Sequence, residues 1–371
     1  MAPTVVPPSS SFDWDKLAFN LYDTAGHAKS VYQDGKWGPL TFEPEPYVRL
    51  PVGSVALNYG SSVFEGLKAF RQEDGQVKLF RPQENAARIS YSAAAVSIPE
   101  IPEDLFLNAV EMAVGKNLDL VPPHAPYGGS GSMYVRPLAF ASGAQLGLMA
   151  PDEFTFLVYV TPTGSLYGSS GGKAPAVDAI IVEDFDRAAP KGTGTYKLAG
   201  NYGPVLGVQA RAKANGFPLT LHLDSKTRSY VDEFSTSNAL GIKKASSPDA
   251  APTLVVPLSD SILKSVTTKS LVDIAKSLGW NVEIRPIPFQ EVTDGGFSEW
   301  LACGTAAAIT PIRSITYNDA SGSAQKVTFG DGNAGPNTLE LLKNLTGIQA
   351  GTLPDKLGFL WPAEGIDGSK Y

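Results

Sequence analysis

A two-domain α/β fold is what the sequence predicts, on three observations. Strand-like and helix-like segments alternate along both halves of the chain. Small and flexible residues gather in GSLYGSSGGKAPA, Gly164 to Ala176, which reads as an interdomain linker. A length of 371 residues is enough to build two substantial cores. The expected division is a smaller N-terminal α/β domain over 1–163, the linker over 164–176 and a C-terminal domain over 177–371. Residues 1–11, rich in proline and serine, read as a mobile tail.

The elements follow in order. SVYQDGKWGPLTF reads as a hairpin turned by Asp34-Gly35. VKLFRP is a strand stopped by Pro82, and ENAARISYSAAAV after it has helical spacing and good helix formers. PEDLFLNAVEMAVGKNL is amphipathic, with Leu105, Ala109, Met112 and Ala113 on one face. SMYVRPLAFA and EFTFLVYVTPT are strands. Beyond the linker, VDAIIVEDF is an apolar strand, and PVLGVQARAKANG a helix ended by Gly216. LTLHLDSKTRSYVDEF reads as a hairpin turning near Asp224 and Ser225. SVTTKSLVDIAKSLGW is an amphipathic helix and NVEIRPIPFQEV the strand after it. GFSEWLACGTAAAITPI is expected to run from helix into a buried strand.

Composition narrows the function classes. A formal net charge of −7 offers no basic field for nucleic acid. Three dispersed histidines (His27, His124, His222) and one cysteine (Cys303) make a metal site improbable, and one cysteine permits no internal disulfide. No apolar run approaches the roughly 20 residues that span a bilayer. The N-terminus lacks the apolar core of a signal peptide, has no arginine before Arg49 and carries Asp13 and Asp15. The expected compartment is the cytoplasm, with no membrane and no nucleic-acid partner.

The segment KGTGTYKLAGNYGP, Lys191 to Pro204, surrounds Lys197 with glycines, small residues and two tyrosines. A phosphate-binding loop needs G-x-x-x-x-G-K-[ST], and here a tyrosine precedes the lysine and a leucine follows it. A surface lysine at a helix start is the plain reading. A lysine that forms an imine must instead present a neutral amine and be approached by a flat ligand. Glycines permit that approach, and Tyr196 and Tyr202 can wall it.

The blocks LNYGSSVFEGLKAFR, VKLFRPQENAARI, MYVRP, GTGTYKLAGNYGP and CGTAAAITPI occur in the order and approximate spacing of the branched-chain aminotransferases. The chain resembles that family from about Ser30 to its end. The resemblance implies a fold type IV enzyme dependent on pyridoxal 5′-phosphate (PLP), with a pseudo-barrel C-terminal domain. It also implies a homodimer acting on amino acids and 2-oxo acids. Carried over residue by residue, Lys197 would hold PLP as a Schiff base and Glu233 would meet its pyridine nitrogen. Arg88 would take the phosphate, with the amides of Val266 and Thr267 and with Thr305, and Arg187 would lie near the phosphate side. Tyr202 would hydrogen-bond the phenolic oxygen. Tyr59 and Phe64 would form the side-chain wall, and Tyr134 and Arg136 would lie near the substrate carboxylate. Thr236 and the backbone of Thr305 and Ala306 complete that carboxylate site. An arginine placed like Arg136 either binds substrate or only organises tyrosine hydroxyls, and the sequence leaves both open.

The chain departs from the family pattern in three places. Its block EFSTSN puts Phe234 and Ser235 where a smaller pair is usual, beside cofactor and substrate. LKSVTT replaces the usual helix-start block, and no second cysteine follows Thr305, so a thiol-pair switch is excluded. The expected function is ping-pong transfer of an amino group from an apolar or branched-chain L-amino acid to 2-oxoglutarate. The alternatives are a fold type IV transaminase of specialised metabolism acting on another amino acid, a D-amino acid or an amine, and a lyase like that acting on aminodeoxychorismate. A member that binds cofactor without turnover is the non-catalytic alternative.

Overall fold

The computed structural model describes residues 5–124, 131–164, 174–244, 247, 250–319, 321–362 and 366. Most of the expected linker over 164–176 lies outside the described residues. Packing of Cα atoms divides the chain into two units. The first is Met1–Leu166, Tyr196–Gly200 and Gly347–Tyr371; the second is Tyr167–Thr195 and Asn201–Thr346. The sequence reading gave all of 177–371 to one domain, whereas two of its segments group with the first unit. Backbone pairing is the reason: Leu360–Trp361 pairs with Val77–Phe80, and Leu198 bridges to Val63.

The first unit is a nine-stranded sheet whose pairings are antiparallel. Its long central strands are Ser132–Phe140 and Phe154–Thr163, with Leu67–Arg71 and Ser62–Phe64 on Ser132–Phe140 and His27–Gln33 on Phe154–Thr163. Asp34 and Gly35 turn the first hairpin at φ 53° and 80°, as a two-residue turn with left-handed backbone requires. The helices Pro82–Ala94 and Glu103–Gly115 bury Ala86, Ile89, Ala93, Phe106, Ala109, Val110 and Ala113 in one core with Val63, Leu67, Ala69, Met133 and Val135 of the sheet. Side chains alternate across a strand, so this burial turns Phe64, Lys68, Tyr134 and Arg136 to the other face. The N-terminal segment crosses that face: the ring of Phe19 meets Tyr134 edge-on at 5.5 Å, and the Tyr22 N–H donates to Thr161 Oγ1 at 3.0 Å. Residues 5–11, read as part of a mobile tail, lie against this unit. Arg71 Nη1 donates to the Val6 carbonyl at 2.7 Å, and the Ser9 N–H to the Asp119 carbonyl at 2.7 Å.

In the second unit six strands close on themselves: Val177–Ile181, Leu219–Leu223, Val231–Phe234, Ser237–Lys243, Phe297–Gly304 and Ala308–Asn318. This is the expected pseudo-barrel. Its interior holds Ala179, Leu219, Leu221, Phe234, Ala239, Trp300, Ala302 and Ile312. Closure leaves none of these six edges open to another chain. The helix Val266–Ser277 packs outside, on Phe297–Gly304.

GFSEWLACGTAAAITPI is corrected here: it is two strands joined by the turn 305–307, with no helix. Glu, Leu and Ala favour helix locally, but the segment lies between two barrel strands. Its alternation of inward Trp300 and Ala302 with outward Glu299, Leu301 and Cys303 suits a wall, and tertiary context overrides propensity. NVEIRPIPFQEV is also corrected: its strand is Asn281–Arg285, and after the two prolines Phe289–Thr293 is a short helix with Pro288 at its N-cap. The remaining named helices and strands form where expected, including Val205–Ala214, after which Gly216 takes φ 85°. No helix among the described residues is long and apolar enough to cross a membrane.

Candidate active site

Six of the expected site residues lie in the first unit. Lys197 is held at both backbone ends: its N–H donates to Ser92 Oγ at 2.9 Å, and its carbonyl accepts from the Phe64 N–H at 3.2 Å. Its Nζ stands 4.6 Å from the centroid of the Phe64 ring. The guanidinium carbon of Arg136 stands 5.0 Å from the same ring, and Arg136 Nη2 donates to the Tyr134 hydroxyl at 3.3 Å. Lys197, Phe64, Arg136 and Tyr134 are therefore one cluster. Gly66 makes room for it, since a Cβ there would stand 2.1 Å from the Tyr134 hydroxyl. Tyr59 turns to the backbone instead, donating to the Leu146 carbonyl at 2.6 Å.

Arg88 is engaged by a residue the sequence reading missed. Its Nε lies 2.6 Å from Glu65 Oε1 and its Nη2 2.7 Å from Glu65 Oε2, a two-point pair that fixes the guanidinium plane. Glu65 is fully buried, and Asn85 Nδ2 and the Gly66 N–H also donate to it. It sits in the Glu65-Gly66 break between the strands Ser62–Phe64 and Leu67–Arg71, and an acid at that break is a weak mark in the sequence.

The second unit holds the remaining residues. Arg187 and Glu233 are both buried, with Nη2 and Oε1 3.7 Å apart. The Arg187 guanidinium also lies over the Tyr202 ring at 5.2 Å, and its Nε donates to the Ser235 carbonyl at 3.1 Å. Strand register explains Glu233: it is the cross-strand partner of Asn238 over the two-residue turn Ser235-Thr236. Asn238 Nδ2 accordingly donates to Glu233 Oε2 at 3.0 Å. Val266 and Thr267 are the first residues of a helix whose N-cap Ser265 accepts from the Thr268 N–H. Their amides point along a helix start, where anions are stabilised. Thr305 and Ala306 form the turn between two barrel strands, and Thr236 is exposed at the tip of its own turn.

Of Phe234 and Ser235, expected beside cofactor and substrate, Phe234 turns into the barrel, whereas Ser235 stays on the side of Arg187. Phe234 is fully buried in the barrel core, and the Ser235 hydroxyl is taken by Thr220 Oγ1 at 2.6 Å and His222 Nε2 at 2.7 Å. Burial first, and then the Arg187 guanidinium with Arg228 behind it, hold His222 down to about pKa 4, against a backbone contact from Phe185. A histidine whose folded pKa lies below its unfolded value favours folding above that value, and the advantage is lost as pH falls. Wild-type unfolding stability is therefore expected to drop between pH about 6.5 and about 4 by more than that of His222→Asn. Denaturant midpoints across that range check this, and parallel curves for the two proteins would contradict it.

Comparison with known proteins agrees with this architecture. The family model for amino-transferase class IV matches residues 62–315. The transaminase htyB of Aspergillus rugulosus is 45% identical, over 95% of this chain and 93% of that protein. The branched-chain amino acid aminotransferase gloG of Glarea lozoyensis is 43% identical, over 94% of this chain and 95% of its own length. The crystal structure of the Escherichia coli branched-chain amino acid aminotransferase superposes with a TM-score of 0.72 at 26% identity, covering 91% of this chain and 100% of that one. The family match spans more than half of the chain, and it falls on the strands, turns and helix starts that hold the two polar clusters. The chain thus belongs to the class IV aminotransferases, PLP-dependent enzymes of fold type IV.

Proposed function

We propose that this aminotransferase takes the amino group of an apolar or branched-chain L-amino acid and passes it to 2-oxoglutarate, with Lys197 as the residue that holds PLP. The observation that carries this reading is the cluster around Phe64. One aromatic ring has an amine at 4.6 Å and a guanidinium carbon at 5.0 Å. An amino acid with an apolar side chain presents the matching set, a carboxylate for the cation and a hydrophobic group for the aromatic wall of Phe64, Tyr134 and Phe19. In the second half-reaction Arg136 can receive a carboxylate of 2-oxoglutarate in the same way.

The residues present fit the cofactor. Arg187 Nη1 is buried without a hydrogen-bond partner among the described residues, a donor suited to an anionic oxygen of the ligand. When bound, PLP supplies an aldehyde for amines and a protonated ring that accepts the electrons left as the Cα proton departs. Lys197 Nζ holds the cofactor and, once displaced, moves that proton. Glu233 keeps the pyridine nitrogen protonated. Arg88, Arg187, Val266, Thr267 and Thr305 serve the phosphate, and Tyr202 the phenolic oxygen. Tyr59, Thr236 and Ala306 serve the substrate. A cytoplasmic location accords with the single free, buried thiol of Cys303.

The homodimer belongs to the same reading. Two segments of the first unit are tied together, Gln145 N–H to the Gly53 carbonyl at 3.0 Å and Tyr59 to Leu146 as above. Between them they expose Val52 (93%), Leu146 (93%) and Leu148 (82%), an apolar face that a second copy would cover. Sedimentation should show a dimer that Leu146→Asp with Leu148→Asp turns into monomer; a wild-type monomer would contradict it.

Lys197→Ala should fold, lose the visible absorption of bound cofactor and lose turnover by at least about a thousandfold. A spectroscopic half-reaction screen over amino acids and amines, with 2-oxoglutarate as acceptor, checks the substrates. Fast conversion with leucine, isoleucine or valine is expected. Reaction only with D-amino acids or amines, or pyruvate release from aminodeoxychorismate without transfer, would overturn the assignment.

A further inference from the structure

Glu233, Asn238 and Cys303 stand in a row across the barrel wall. Register pairs Glu233 with Asn238 and Asn238 with Cys303, and directly opposed residues share a face. Thr268, in the first turn of Val266–Ser277, closes over the row. Its Oγ1 lies 3.0 Å from Asn238 Oδ1 and 3.2 Å from Cys303 Sγ. The protons in this row can be placed in only one way. Asn238 Nδ2 faces Glu233 Oε2 at 3.0 Å and the Leu263 carbonyl at 3.1 Å, both acceptors, so the amide oxygen faces Thr268. That oxygen only accepts. The Thr268 hydroxyl therefore spends its single proton on it and must itself accept from the Cys303 S–H. The thiol keeps its proton, since burial pushes it up to about pKa 12. The donors run in one direction, Cys303 to Thr268 to Asn238, and end on a carboxylate oxygen.

We propose that Thr268 is a positioning residue for Glu233: its hydroxyl, backed by the Cys303 thiol, orients Asn238 so that Glu233 is held as a carboxylate in a fixed pose. This rests on the reading that Glu233 serves the pyridine nitrogen of the cofactor. Protonation at Glu233 Oε2 would place two protons against each other on the Asn238 contact, so the row opposes it. Because Thr268 follows Val266 and Thr267 directly, the helix turn that offers amides to an anion also carries the group that sets the carboxylate.

The test is a double-mutant cycle in the holoprotein, with Thr268→Val, Glu233→Gln and both together. Two readouts are followed: the pH at which the visible cofactor band changes, and the half-reaction rate with the fastest amino acid of the screen. Thr268→Val alone should shift the spectral transition and slow the half-reaction roughly tenfold, as expected for a lost hydrogen bond serving a charged group. Thr268→Ser should restore both, and in the Glu233→Gln background Thr268→Val should change neither further. Equal effects of Thr268→Val in the two backgrounds, or no effect on wild type, overturn the proposal. If Glu233→Gln itself behaves like wild type, the reading of Glu233 beneath it fails instead. Should Thr268→Val not fold, Cys303→Ala interrupts the same row one link earlier and should shift the same transition less, again only when Glu233 is present.

Discussion

A buried carboxylate is costly unless positive charge and donated protons meet it, and each unit of this molecule holds a buried glutamate met by an arginine. In the first, Glu65 is fully buried and takes two hydrogen bonds from Arg88 and others from Asn85 and Gly66. In the second, Glu233 lies beside Arg187 and takes a hydrogen bond from Asn238. Removing either acid would take from a largely buried arginine the carboxylate it pairs with, so the two pairs constrain their neighbourhoods more strongly than any single apolar contact does. The residues read as functional are those packed next to them.

The polar pairs are possible because the surrounding framework is rigid. Barrel closure fixes the register that sets Glu233 opposite Asn238, and the same register sets Asn238 opposite Cys303. In the first unit, burial of one sheet face under two helices leaves the other for Phe64, Tyr134 and Arg136. Lys197 reaches that face because Leu198 bridges to Val63 and its own backbone is tied to Ser92 and Phe64. Apolar periodicity, a non-specific force, thus orders side chains whose chemistry is specific.

Much of this was legible in the sequence. Helices with clear periodicity, such as Glu103–Gly115 and Val266–Ser277, formed where their apolar faces and start signals indicated. The Asp34-Gly35 turn was marked by its own backbone demands. GFSEWLACGTAAAITPI was misread because its helix-forming composition gives no sign that the neighbours are strands on both sides. The grouping of 347–371 with the first unit was invisible for a similar reason, since it depends on pairing across almost the whole chain. Lys197 and Glu233 could be singled out by motif, but Glu65, Asn238 and Thr268 could not. Their roles come from cross-strand register and helix placement, and a linear reading holds neither. The effect assigned to Phe234 failed because strand parity, unknown from sequence, turns its ring into the barrel.

The central claim is that the side-chain amine of Lys197 is the protein's covalent attachment point for PLP. Borohydride reduction of the holoenzyme, followed by digestion and peptide mass analysis, tests it most directly. The account predicts the added cofactor mass on the peptide that contains Lys197, and on no other. The mass on a different lysine, or on none, would contradict it.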